Sequence, residues 1–134
     1  MNTFALKIVT PDGVQYEGQA QQLTVRTTSG DMGILAGHVN CVAPLGMGMA
    51  TVVTETGRRY GACMGGMVSV LGGEVNLVPT TFEWADQIDV DRAVSSGDRA
   101  KNVIANKAST DTDMRLAEAR LKRALVRQKV AEYK

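Results

Sequence analysis

Proline and glycine are spread so unevenly along this chain that it cannot be one kind of structure throughout. All three prolines (Pro11, Pro44, Pro79) and every glycine except Gly97 lie at or before Pro79, and residues 89–134 contain no proline. Proline interrupts helices and glycine weakens them, while both shape tight turns. Residues 1–84 therefore read as short strands between turns, and residues 85–134 as helix.

The strands follow from alternation, because successive side chains on a strand point to opposite faces. Phe4, Leu6 and Ile8 alternate with Ala5, Lys7 and Val9. Pro11-Asp12-Gly13 is a turn, with proline presetting φ and glycine accepting positive φ. Val14, Tyr16 and Gly18 then alternate with Gln15 and Glu17, and Leu23 and Val25 with Thr24 and Arg26. Ser29-Gly30-Asp31 breaks the chain. Met47, Met49, Thr51 and Val53 form another strand phase, and Arg59–Cys63 the return strand. Two apolar runs around Gly72-Gly73 make the clearest hairpin. Many short strands at regular turn spacing point to an antiparallel β-sandwich or barrel.

Beyond Pro79 the apolar period becomes helical. Ile88-Asp89 opens a first helix, with Asp89 as N-cap and Ile88 placed to staple against Ala93. Ala93, Gly97, Ala100 and Ile104 form its stripe, and Lys107–Thr110 a break. Thr110 with Asp113 fits a capping box, and Met114, Ala117, Leu121 and Ala124 form the second stripe. Two stripes of small residues predict a close-packed antiparallel hairpin. Its little buried apolar area must offset ~1–2 kcal/mol of backbone entropy per ordered residue, so it is expected to be marginal against opening. The fold class is thus α+β: an N-terminal antiparallel sandwich over 1–84 and a C-terminal two-helix antiparallel hairpin over 85–134.

Several function classes are disfavoured at once. The net charge of +1 gives no global pull toward nucleic acid, although residues 111–134 carry 7 Lys/Arg against 4 Asp/Glu, where residues 1–110 carry 8 against 10. A basic tail on a mildly acidic body suits an acidic partner, or is a solvated helix face. Cys41 and Cys63 form no CxxC pair and read as reduced thiols of a reducing compartment. A single histidine, His38, without a cysteine or histidine cluster argues against a metal site. No run approaches the ~20 apolar residues of a membrane span, and no signal peptide is expected, so membrane association would be indirect.

Four stretches carry a resemblance. They are Lys7-Ile8-Val9-Thr10-Pro11-Asp12-Gly13 with Tyr16-Glu17-Gly18, Gly30-Asp31-Met32-Gly33-Ile34-Leu35-Ala36-Gly37-His38, Gly65-Gly66-Met67-Val68, and Ile88-Asp89-Val90-Asp91-Arg92-Ala93. In this order, across nearly the whole chain, they resemble the epsilon subunits of F-type ATP synthases. The chain departs from that pattern at Val39, Asn40 and Cys41, and at Gly97 within a helix.

The resemblance implies a non-catalytic central-stalk (rotor) subunit of a proton- or sodium-translocating ATP synthase, with no catalytic residues and no required cofactor. The sandwich would bind the gamma subunit and sit on the membrane rotor ring, and the Gly30–His38 loop, through Gly30, Asp31, Gly33, Ile34 and His38, would lie at that contact. The second helix would meet acidic segments of the beta subunit in the alpha/beta catalytic hexamer through Arg115, Arg120, Lys122, Arg123 and Arg127, and so inhibit ATP hydrolysis by blocking rotation. Some bacterial members bind ATP as a regulatory ligand in the closed hairpin. The matching positions are Glu83, Ile88, Asp89, Arg92, Ala93, Arg99, Arg123 and Arg127. The motif also occurs in members that bind ATP weakly or not at all, and a helix cap with an ordinary ion pair would account for Asp89 and Arg92. The implied location is the cytoplasmic side of a bacterial cell membrane, peripherally, with the isolated chain a monomer.

Two other readings stay open. A free-standing ATP-binding sensor module would use the same arginines without a stalk partner. An enzyme on a sandwich has little support, since no motif places a nucleophile beside His38 and no Walker-type phosphate loop is present.

Overall fold

A computed structural model describes residues 2–134. The chain divides into two compact units, Met1–Trp84 and Ala85–Lys134.

The first unit has ten strands: β1 (Phe4–Thr10), β2 (Gly13–Ala20), β3 (Gln22–Thr27), β4 (Gly30–Leu35), β5 (Cys41–Pro44), β6 (Met47–Thr54), β7 (Gly57–Met64), β8 (Met67–Leu71), β9 (Glu74–Val78) and β10 (Thr81–Trp84). They form two five-stranded sheets, ordered β2-β1-β9-β8-β5 and β10-β7-β6-β3-β4. The inward residues of both sheets (Leu6, Ile8, Leu23, Val25, Ile34, Val52, Val68, Val70, Leu77) are fully or almost fully buried and fill the space between them. That is the sandwich expected from alternation. One pairing differs: β1 and β9 run parallel, so the sheet is antiparallel everywhere except at that seam. Hairpin links cannot join parallel neighbours, and the intervening chain crosses to the other sheet and back.

Two local outcomes refine the sequence reading. Gly30–Leu35 is an edge strand, with only the last residues of the expected loop left as a turn. Three glycines within 30–37 mask the alternation of inward Met32 and Ile34 with outward Asp31, Gly33 and Leu35. On β6 the phase Met47, Met49, Thr51, Val53 is the half-buried one, and Ala50 and Val52 are the fully buried residues. The inner face here needs small residues: a methyl group on Gly61 would collide with the Phe82 ring. Gly72 and Gly73, both at positive φ (57° and 80°), close the β8–β9 hairpin between Leu71 and Glu74 as a type I′ turn would.

The last strand is pinned through its final residue. Trp84 lies edge-on to Phe82 at 4.9 Å and to Tyr16 at 6.4 Å. Its Nε1–H donates to the Gln15 carbonyl at 3.2 Å, and the Arg59 guanidinium stacks 3.7 Å from its ring centroid. Edge-to-face rings and a stacked guanidinium each add stabilisation beyond area burial.

The second unit begins with a 3₁₀ turn, Ala85–Gln87, followed by α1 (Val90–Ala105) and α2 (Asp111–Ala131). Asp89 caps α1, its Oδ1 accepting the Arg92 N–H at 3.0 Å. Thr110 and Asp113 form the reciprocal capping box of α2, with both bonds at 3.1 Å. The stripes pack as expected: Ala93, Gly97 and Ala100 on α1 and Ala117 and Ala124 on α2 are buried. At Gly97 a methyl group would lie 3.4 Å from the Ala124 Cβ, so the helices meet with almost no side chain between them.

Candidate functional site

The predicted site residues fall into two places, one in each unit. In the sandwich unit they cluster on β4 and the turn after it. Arg26 and Asp31 face each other across β3 and β4 and pair at 3.3 Å, largely exposed to solvent. Such a pair contributes only about 0.2–1 kcal/mol, so Asp31 is available to a partner. Gly33 faces open space and Gly30 sits at φ 120°. Thr27 Oγ1 donates to the Gly30 carbonyl at 2.7 Å and accepts the Ser29 N–H at 3.2 Å, which fixes the β3–β4 turn. Ile34 is a correction: it is fully buried in the sandwich core and presents nothing to a partner. Alternation on β4 requires this, since Ile34 lies between outward Gly33 and Leu35.

His38 is half-buried. Its Nδ1 lies 2.8 Å from the Val39 carbonyl. A carbonyl only accepts, so Nδ1 carries a proton and donates it to this bond. Exposed apolar residues lie on this turn and on the strands next to it, of which the sequence reading singled out only Val39, as a departure from the family pattern. Val39 is 74% exposed, and Leu35, Val42 and Leu71 are each more than half exposed. Asn40, one of the departures from the family pattern, accepts the Gly72 N–H through Oδ1 at 3.0 Å and so ties the His38 turn to the β8–β9 turn.

A second apolar feature runs across the outer face of the same sheet as β8. Pro44 pairs with Met67, Met67 with Val78, and Val9 with Val14. Continuing the β1–β9 register places Val9 beside Val78. The result is a row of outward apolar residues spanning five strands, of which Met67, Val78 and Val14 are strongly exposed. Alternation marks these positions as outward but cannot say that so many outward positions are apolar for a reason.

In the helical unit, Arg92, Ser96, Arg99 and Val103 follow each other at spacings of 4, 3 and 4 residues, one flank of α1. Leu116, Arg120, Arg123 and Arg127 do the same on α2. Arg92, Arg99 and Arg120 are exposed, Arg123 and Arg127 half-buried. A groove of about 540 Å³ opens along this flank, floored by Ala100 and Ala117 and bounded by Ser96, Arg99, Val103, Asp113, Leu116 and Arg120. Of the predicted ATP-binding residues only Arg99 lines it. Asp89 is engaged as the α1 cap, and Ile88 and Ala93 are buried. Glu83 lies on β10, in the sandwich unit, paired in register with Ala62.

The basic residues of α2 do not form one surface. Arg120, Arg123 and Arg127 share the groove flank, whereas Arg115, Lys122 and Lys129 recur every seven residues on another face. On that face Leu121, Leu125 and Val126 line an apolar depression of about 340 Å³ together with Glu118, Lys122 and Lys129.

Among the described residues no group of three or more His, Cys, Asp or Glu could hold a metal ion, and no helix is long and apolar enough to cross a membrane. Burial pushes the Cys63 thiol up from its ordinary 9.0 to about 12, which makes it a packing residue rather than a nucleophile.

Comparison with known proteins accounts for both units. Residues 3–85 match the family model described as ATP synthase, Delta/Epsilon chain, beta-sandwich domain. Residues 86–132 match ATP synthase, Delta/Epsilon chain, long alpha-helix domain. The ATP synthase epsilon chains of Bacillus velezensis and Bacillus pumilus are each 40% identical over 131 residues, covering 98% of this chain and 98% of theirs. The fold is also similar to a chain in a structure of the Euglena gracilis mitochondrial ATP synthase (OSCP/F1/c-ring), with a TM-score of 0.83 and 21% identity over 98% of this chain and 82% of that one.

Proposed function

The chain belongs to the ATP synthase delta/epsilon family, as a non-catalytic epsilon chain, and from that premise we propose that it joins the gamma subunit to the membrane rotor ring and restrains ATP hydrolysis through its helical hairpin. The observation that carries the reading is apolar surface left outward on a rigid sandwich. Scattered exposed apolar residues need no explanation, but a row across five strands does. The row from Pro44 to Val14 suits the gamma subunit. Asp31 and Gly33 of β4, His38 and Val39 of the turn after it, and Leu71 at the end of β8 suit the ring, with Asp31 and His38 as polar rim around Val39 and Leu71. The complex would hold the chain at the membrane peripherally, through its partners alone.

The hairpin supplies regulation. Its arginines meet acidic segments of the beta subunit when the helices separate, by charge pairing that steers and orients. Arg120, Arg123 and Arg127 leave the groove flank for that role, and Arg115 and Lys122 act from the other face beside Leu121 and Leu125. ATP, bound to the closed hairpin through Asp89, Arg92, Arg99, Arg123 and Arg127, with Glu83 and the Ile88–Ala93 backbone nearby in sequence, draws population away from the inhibitory form. Arginine forks suit phosphate oxygens geometrically.

Reconstitution with a gamma-containing alpha/beta complex lacking this subunit tests the reading. The chain should co-elute with the complex and lower its ATP hydrolysis several-fold. A variant with Arg123 and Arg127 both changed to alanine should co-elute equally well while restoring most of the hydrolysis. Failure to co-elute would remove the stalk role. Co-elution without inhibition would leave the stalk role and remove the hairpin's.

A further inference from the structure

One face of α2 is left uncovered by the helix it packs on. Ala117 and Ala124 turn toward α1 and are buried there. Glu118, Leu121, Lys122, Leu125, Val126 and Lys129 recur at spacings of 3, 1, 3, 1 and 3 residues, which makes them one continuous strip on a different side of the helix. They line the shallow apolar depression of about 340 Å³. Leu125 is 49% exposed, and Glu118, Lys122 and Lys129 are exposed as well. No ion pair holds any of these three charges among the described residues.

The order of charges along the strip selects an occupant. Glu118 and Lys129 share a midpoint between residues 123 and 124, and Lys122 and Leu125 share the same one. An antiparallel copy of α2, related by a twofold axis through that point, brings residues with a common midpoint to one level. Glu118 of each copy then meets Lys129 of the other, at both ends of the strip. The two Leu125 side chains meet near the axis, with the aliphatic stem of Lys122 laid beside them and its ammonium reaching water. Arg115 and Glu132, both exposed, share the midpoint too and add an opposite-charge pair about one turn farther out on each side. A parallel copy would instead set Glu118 against Glu118 and Lys129 against Lys129, so the charges fix the orientation as well as the register.

We infer that this strip of α2 is a self-association surface, and that its occupant is the same strip of a second copy of the chain, running antiparallel. From Glu118 to Lys129 the strip covers about 17 Å of helix, so it buries much less area than a stable dimer needs. The pair is accordingly weak, with a dissociation constant on the order of 0.1 mM, and is loosened further by salt. The chain is a monomer when dilute and pairs when concentrated. The inference concerns the free chain and does not depend on the regulatory role of the hairpin.

Sedimentation equilibrium of the full chain from about 0.01 to 1 mM tests it, with helix content checked by circular dichroism. Wild type should move toward the dimer mass over that range. Glu118→Lys and Lys129→Glu each place like charges at both ends of the pair, and each should weaken association about tenfold or more. An equimolar mixture of these two variants should associate again, because every contact between unlike copies then joins opposite charges. The double variant should recover for the same reason. A wild-type chain that stays monomeric throughout overturns the inference. Association that survives both single substitutions, or that neither the mixture nor the double variant restores, places the contact elsewhere and overturns it equally.

Discussion

Each of the two units is held together internally by a different kind of contact. Between the sheets stand Leu6, Ile8, Leu23, Ile34, Leu77 and Trp84, each burying a large side chain, worth about 1.5–3 kcal/mol apiece for the aliphatic ones. Between the helices stand Ala93, Gly97, Ala100, Ala117 and Ala124, each contributing a methyl group or less, on the order of 0.8 kcal/mol. Of the larger helical residues Val130 is fully buried, while Leu116 and Leu125 are about half exposed. The sandwich is closed by large interdigitating side chains. The hairpin is closed by small residues, whose separation exposes little apolar area.

The largest expected effect falls on the sandwich. Gly66 sits at φ 93°, and a methyl group there would collide with the Val78 carbonyl oxygen. Gly66→Ala combines backbone strain with a clash and should cost about 3 kcal/mol or more. Urea denaturation checks this, and loss of sandwich signal at unchanged midpoint would break the contrast.

A smaller effect distinguishes the units by pH. The folded Cys63 thiol stays protonated up to about 12, while in the unfolded chain it ionises near its ordinary 9.0. Between those values the unfolded chain binds fewer protons. Stability conferred by the buried neutral thiol is therefore complete below about 9 and declines by up to about 1.4 kcal/mol per pH unit above it. Cys63→Ala should flatten that slope in the sandwich transition and leave hairpin melting untouched.

The smallest effect has the opposite sign. At Gly97 a methyl group meets its neighbours at 3.4–3.8 Å, ordinary contact distance. Gly97→Ala should stabilise the hairpin by about 1 kcal/mol, from helix propensity. On the proposed regulatory reading it should also weaken inhibition of hydrolysis, since a more stable closed hairpin would keep α2 from the beta subunit. A destabilised hairpin would mean that the close approach at Ala124 tolerates no added atom.

Sequence legibility followed the range of the interaction. Asp89 and the Thr110–Asp113 box were readable because a cap and its amides lie three residues apart, and Gly72-Gly73 because a two-residue turn closes its own hairpin. The parallel β1–β9 seam was not, since nothing local to Phe4–Thr10 encodes a partner at Glu74–Val78. β4 was hidden by its glycines, and Ile34 with it, so a buried residue was placed at a contact. The motif residues around Asp89 were visible as a pattern. Arg120 belonged by pattern to the basic face alone, and its place along one groove with Arg99 arises only when two helices pack. Exposure of Val39, Val78 and Leu71 is likewise invisible to alternation, which assigns a face and not what covers it.

Native-state hydrogen exchange tests the central contrast most directly. Amides of α1 and α2 should exchange through openings at least about 2 kcal/mol cheaper than those of β1, β3 and β9, and saturating ATP should narrow that gap by protecting the helices alone. Exchange of both units at one common free energy, insensitive to ATP, would mean that the hairpin is no separate opening element and would contradict the account.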